Sequence, residues 1–163
     1  MTIRTAVVPQ AEILDLRWRV LRPGHPRAAA EFAEDARRDT FHLAAYEGDD
    51  PAVLGCVTLF PDPLPGEDET AHRFRGMASA PAVRGRGYGA ALLAAATGEA
   101  AARGARVLWC NGRAEALGFY LRQGFTVVGE EFVIEGVGPH RVLARRVGPP
   151  VPAPPPVSAA PGR

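Results

Sequence analysis

The chain has 163 residues with 19 basic and 18 acidic side chains, and all of the bases are arginine. A net charge of +1 excludes polyanion binding driven by bulk electrostatics, because nucleic-acid-binding domains carry a basic excess or a basic stripe. No window approaches 18 uncharged apolar residues, which excludes a membrane-spanning helix, and two cysteines are too few for a disulfide framework.

Residues 1–10 lack a cationic start followed by an apolar run, so no secretory leader is expected. Cys56 in VLGCVTLF and Cys110 in RVLWCNG read as small buried thiols of a reducing, cytoplasmic compartment. TIRTAVV (2–8) alternates as a short strand. Residues 9–21 place Ile13, Leu14, Leu16, Trp18 and Leu21 among charges at helical spacing. Residues 27–38 predict a second amphipathic helix, with RPGHP as the turn between the two.

FHLAAYE (41–47) and AVLGCVTLF (52–60) read as strands joined by GDDP, a hairpin turn. PDPLPGEDET (61–70) is an exposed loop, HRFRGMAS (72–79) a strand, and the alanine-rich run 89–103 a helix. VLWCN is a short buried strand, 114–123 a helix, FTVVGEEFVIE a strand and 140–147 a closing strand. This order predicts an α+β domain over residues 1–147 with a central, mostly antiparallel sheet. Seven of the 16 prolines fall in 148–163, a composition that predicts a disordered Pro/Ala-rich tail of polyproline II character.

Chemistry concentrates in SAPAVRGRGYGAALL (79–93), where a strand ends, a glycine-rich turn follows and a helix starts at once. Gly85, Gly87 and Gly89 alternate with Arg84, Arg86 and Tyr88. Residues without side chains at that spacing let successive backbone N–H groups point into one concavity, and the helix start adds about half a positive charge. On this run alone, a phosphate cradle and a turn that merely needs glycine are both open. A Walker loop is excluded, since it needs a lysine. So is a dinucleotide fingerprint, because the next strand ends in Trp109, Cys110 and Asn111 instead of an acid.

Pro81, Arg84, Gly87 and Gly89 resemble the acyl-CoA motif of the GCN5-related N-acetyltransferase (GNAT) family. A second block, NGRAEALGFYLRQGF, is similar to that family at the expected distance, with Asn111, Ala116, Tyr120 and Gly124-Phe125 in register. The resemblance implies a GNAT-type three-layer α/β/α fold whose mixed, mostly antiparallel sheet is splayed. It also implies acetyl-CoA as acyl donor, and no metal. The backbone of Met77, Ala78 and Ser79 would take the pantetheine arm, and the N–H groups of Arg84, Gly85, Arg86, Gly87, Tyr88 and Gly89 the pyrophosphate. Asn111 would contact the arm across the splay. Tyr120 would stand near the thioester sulfur and protonate the leaving thiolate, a role suited to a phenol with an ordinary pKa of about 10.

Many members of the family add a carboxylate on the central strand as general base. Here HRFRGMAS offers Arg73 and Arg75 in its place. The candidates for the base are Glu131, preferred because GEEF lies toward the acceptor side in this fold, then His140 in a Gly-Pro turn, then Glu69 or His72. Each also reads as a surface or turn residue. The expected activity is transfer of acetyl from acetyl-CoA to a primary amine of a small molecule or peptide. A non-catalytic acyl-CoA sensor and a toxin-type acetyltransferase acting on aminoacyl-tRNA are the alternatives. Glu31, Glu34, Asp35, Glu67, Asp68 and Glu69 are compatible with a cationic acceptor. No nucleic-acid or membrane partner is expected, and a homodimer is open because dimers are common among similar proteins.

Overall fold

Alternation along each strand decides which side chains meet which helix. The computed structural model describes residues 2–148, in which ten regular elements follow one another. They are β1 (Ile3–Val8), α1 (Gln10–Leu21), β2 (Phe41–Glu47), β3 (Gly55–Pro61), β4 (Ala71–Ser79), α2 (Tyr88–Ala102), β5 (Val107–Arg113), α3 (Leu117–Arg122), β6 (Thr126–Ile134) and β7 (Gly138–Arg146). The strands form one sheet in the order β1-β2-β3-β4-β5-β7-β6, in which only β4 and β5 are parallel neighbours. The α+β, three-layer expectation holds. Beyond Gly148 the expected proline-rich tail lies outside the described residues.

Leu43, Val57, Leu59, Phe74, Leu108 and Leu143 point to one face, where they pack with Leu92, Leu93, Ala96 and Ala100 of α2. The two alanines let the helix approach the sheet closely, and each fully buried leucine contributes about 1.5–3 kcal/mol. On the other face, Ala44, Tyr46, Cys56 and Ala78 pack with Ile13 and Leu16 of α1. Farther along that face, Trp109, Val107, Ala144 and Leu64 form a smaller cluster. Both cysteines are free and buried. Among the described residues, no helix is long and apolar enough to cross a membrane.

One predicted element is corrected. Residues 27–38 are two 3-10 turns, Arg27–Ala30 and Ala33–Ala36, separated by extended backbone at Glu31 and Phe32. The helix is lost because its polar and aromatic side chains have better partners elsewhere. Phe32 turns inward so that the guanidinium of Arg17 and that of Arg75 each lie 3.9 Å from its ring centroid. Asp35 accepts from the Phe32 N–H at 2.8 Å and from Arg17 at 2.7 and 3.1 Å.

Candidate active site

The sheet opens in its middle. β4 and β5 pair only at Ala71↔Val107, His72↔Leu108 and Arg73↔Trp109. Beyond that point β4 stays with β3 as far as Ser79, and β5 stays with β7 as far as Arg113. The cause is local. Between Cys56 and Thr58, β3 has one residue where β4 has two, Gly76 and Met77, and such a bulge bends the strand that carries it. Gly76 takes φ +67, and a Cβ there would sit 2.6 Å from the Phe32 ring, so only glycine serves. The opening is a cavity of about 630 Å³ whose walls include Met77, Ala78, Ser79 and Asn111. The peptide groups of β4 that face β5 along this stretch have no strand partner there.

The glycine turn lies at the end of that opening. Arg84 lines the cavity, and Arg86 is exposed. Gly85 and Gly87 have φ +78 and +91, and open space lies beside Gly85. Gly87 is the N-cap of α2, and no side chain caps this helix start. The N–H groups of the first turn therefore have no intrahelical acceptor and face outward with the positive end of the helix dipole. Tyr88 buries its side chain in the core against α2 and the sheet. Gly89 brings the turn against α3: a Cβ there would lie 3.1 Å from Phe119. Uncapped donors, left-handed glycines and an adjoining slot with unpaired peptide groups fit the diphosphate and arm of an acyl-CoA.

Tyr120 stands on the α2/α3 side of the opening, its ring 5.3 Å from Phe119, 5.9 Å from Phe125 and 6.1 Å from Phe74. Its hydroxyl lies beside the thiol of Cys110, which also lines the cavity. Burial, and then that thiol, push the hydroxyl above its ordinary pKa of 10.0, so it stays protonated at neutral pH. Burial likewise pushes Cys110 up to about 12, against the neighbouring Tyr120 hydroxyl and the charge of Arg73, so this thiol is no nucleophile. Gly112 makes room for the phenol, since a Cβ there would fall 2.9 Å from Tyr120 and 2.7 Å from Leu143.

On the opposite side of the opening, His140 pairs with Arg113 across β7 and β5 and lines the cavity. Its Nδ1 lies 2.8 Å from the carbonyl of Gly138. An Nδ1–H donated to that oxygen leaves Nε2 as the nitrogen with a lone pair. Glu131 is not brought to the cavity. It precedes Phe132, whose ring stacks on His140, so its own side chain leaves by the other face and is exposed. His72 is buried against Phe41 on the α2 side, and Glu69 pairs with Arg146 at 2.8 Å; neither lines the cavity. The six acids expected to favour a cationic acceptor are likewise absent from its walls.

Sequence reasoning did not single out Phe32, Gly76, Gly112 or the buried Arg17–Asp35 pair. A glycine inside the strand HRFRGMAS was a bulge signal, and an arginine inside the apolar stripe of α1 was a signal for a buried ion pair. The other residues owe their roles to contacts far apart in the chain.

Residues 10–125 match the Acetyltransferase (GNAT) family. The chain is 32% identical over 130 residues to the uncharacterized N-acetyltransferase YitI of Bacillus subtilis, covering 79% of this chain and 86% of that one. An acyl-CoA N-acyltransferase from Pseudomonas aeruginosa superposes with a TM-score of 0.68 at 24% identity, over 88% of this chain and 99% of that one. The IAA acetyltransferase from Bacillus cereus superposes with a TM-score of 0.66 at 20% identity, over 90% of this chain and all (100%) of that one. With a splayed sheet, an uncapped glycine turn and a match of this extent, the chain belongs to the GNAT family and is an acetyltransferase.

Proposed function

We propose that this enzyme moves acetyl from acetyl-CoA directly to a primary amine of a small molecule or peptide. The observation that carries the reading is one cavity that joins the uncapped turn at Arg84, the unpaired edges of β4 and β5, and Tyr120. The N–H groups of Gly85 to Gly89 would hold the diphosphate, with Arg84 and Arg86 beside it. Met77, Ala78 and Ser79 would align the arm by backbone hydrogen bonds, and Asn111 would meet it from β5.

In the reaction the neutral amine attacks the thioester carbonyl, a C–N bond forms and the C–S bond breaks. Holding amine and carbonyl about 3–3.5 Å apart supplies much of the rate. Tyr120 gives its proton to the departing thiolate, which its raised pKa permits only because the proton passes to sulfur as the bond breaks. His140 Nε2, across the opening, takes the proton that the amine sheds. The faces support this division, since donor and acceptor of protons lie on opposite sides of the opening.

Calorimetry with CoA, followed by thiol release across an amine panel, tests the proposal. Tyr120→Phe should bind CoA within about twofold of the parent and lose about 100-fold in kcat. Unchanged turnover would remove Tyr120 from the proton-donor role, and absence of CoA binding at millimolar concentration would end the reading. CoA binding with no thiol release from any amine would count against an amine acceptor.

A further inference from the structure

Among the described residues, the walls of the cavity carry Arg22, Arg73, Arg75, Arg84 and Arg113 and no aspartate or glutamate. Arg84 belongs to the turn that precedes α2. The others belong elsewhere, as the strand geometry shows. At about 3.3 Å per residue, Arg75 and Arg73 lie about 13 and 20 Å up-strand of Ser79, well away from that turn. Phe74, between them, faces α2, so both arginines face the α1 side of the sheet. On β5, Cys110 faces α2, so Asn111 and Arg113 share the α1 side, and His140 joins them as the cross-strand partner of Arg113. Arg22 caps the C-terminal end of α1 on that same side.

These guanidinium groups keep unspent donors. Each has five N–H groups. Arg75 uses Nη1 on Glu34 at 2.8 Å, and its plane is held against Phe32. Arg73 stands 3.6 Å from Asp62, beyond hydrogen-bond length, and its buried Nε has no hydrogen-bond partner. Arg113 meets Glu115 at 3.5 Å, through an exposed pair of the weak surface kind. Stacking on Phe32 and anchoring by Glu34 fix the Arg75 fork in advance, the condition under which arginine recognises a planar oxyanion. An acceptor carrying only positive charge would meet repulsion from every charged group on this wall.

We infer that the acceptor amine also carries an oxyanion, a carboxylate or a phosphate, which the Arg73–Arg75 side of the cavity binds while His140 faces the amine. The inference rests on the acetyl-transfer reading and narrows its substrate class to small anionic amines. Free amino acids and aminoalkyl phosphates are its two chemical forms, and cationic polyamines fall outside it.

The test has a turnover arm and a binding arm. In the first, kcat/KM for free amino acids and aminoalkyl phosphates is compared with that for the matching amino acid amides and for polyamines. The anionic forms should lead their uncharged partners by about 10- to 100-fold. Arg75→Gln should collapse that ratio through KM, and Arg75→Lys should restore part of it. In the second arm, N-acetylated amino acids and their amides are titrated into CoA-saturated protein, where the same preference should appear without catalysis. Arg73→Gln repeats the experiment should Arg75 variants fold poorly, as judged by their melting temperature. Polyamines as the best acceptors, or a preference untouched by both arginine replacements, would overturn the inference. Binding preference without thiol release from any amine would uphold the anion site and count against the transfer reading alone.

Discussion

Among single residues, Tyr120 and His140 line one cavity from opposite faces of the sheet. As a residue of the cavity wall the tyrosine was legible through the resemblance of NGRAEALGFYLRQGF to the family's second block. The histidine was legible only as a candidate. What separates His140 from Glu131 is strand parity, since one step along β6 or β7 moves a side chain from the cavity to solvent, and parity depends on register. Gly76 and Gly112 were not legible as site residues, because the atoms that exclude a Cβ come from Phe32 and from Tyr120 and Leu143. His140→Gln should lower kcat/KM by about 100-fold at pH 7 if the imidazole takes the amine proton. The deficit should shrink as pH rises toward the acceptor's own pKa, where the amine loses its proton to water. A pH–rate profile decides the matter, and a deficit constant with pH would reduce His140 to a positioning residue.

Among the elements, α2 and the turn before it follow from local chemistry alone: alanine, leucine and a glycine start. The segment between α1 and β2 does not. Its residues 27–38 carry helical spacing, yet Asp35 and Phe32 are claimed by Arg17, which lies in the apolar stripe of α1 with no exposed surface. Burial pushes Asp35 up, but hydrogen bonds from Arg17 and the Phe32 N–H, with the charges of Arg17 and His42, hold its carboxyl below the usual range. The ion pair ties the 3-10 turns to the bulge at Gly76 and so supports the wall that carries Arg75. Removing one partner of such a buried pair strands the other. Arg17→Met should cost about 3–5 kcal/mol in urea unfolding, and Arg17→Met with Asp35→Leu should cost less than the single change. A single variant as stable as the parent would show that the pair holds nothing in place.

For the whole molecule, the α+β order was legible because each strand carries its own alternation, whereas the splay was legible only through the family resemblance, since it arises from one extra residue of β4 opposite β3. Stability across pH also belongs to this scale, because it sums groups on distant elements. His42 is held below its ordinary pKa of 6.5 by burial and by the charge of Arg17, which together outweigh the attraction of Asp35. His72 is held below 6.5 by burial and by Arg103 and Arg37, against Asp39, and its buried Nδ1 has no hydrogen-bond partner. Both histidines are therefore neutral in the fold and bind a proton more readily when the chain unfolds. Their contribution is complete above pH 6.5 and is lost as pH falls from 6.5 toward the folded values. Asp35 adds a further loss only below 3.8, as pH falls through its lowered value. Unfolding free energy should thus be level from pH 8 to 7 and decline below 6.5, by at most about 1.4 kcal/mol per pH unit for each histidine. His72→Leu keeps the apolar contact with Phe41 and removes one of the two protons, so its decline between pH 6.5 and 5 should be shallower than the parent's. Denaturant unfolding at pH 8, 7, 6 and 5 measures both slopes, and parallel curves for parent and variant would show that His72 is not part of the linkage.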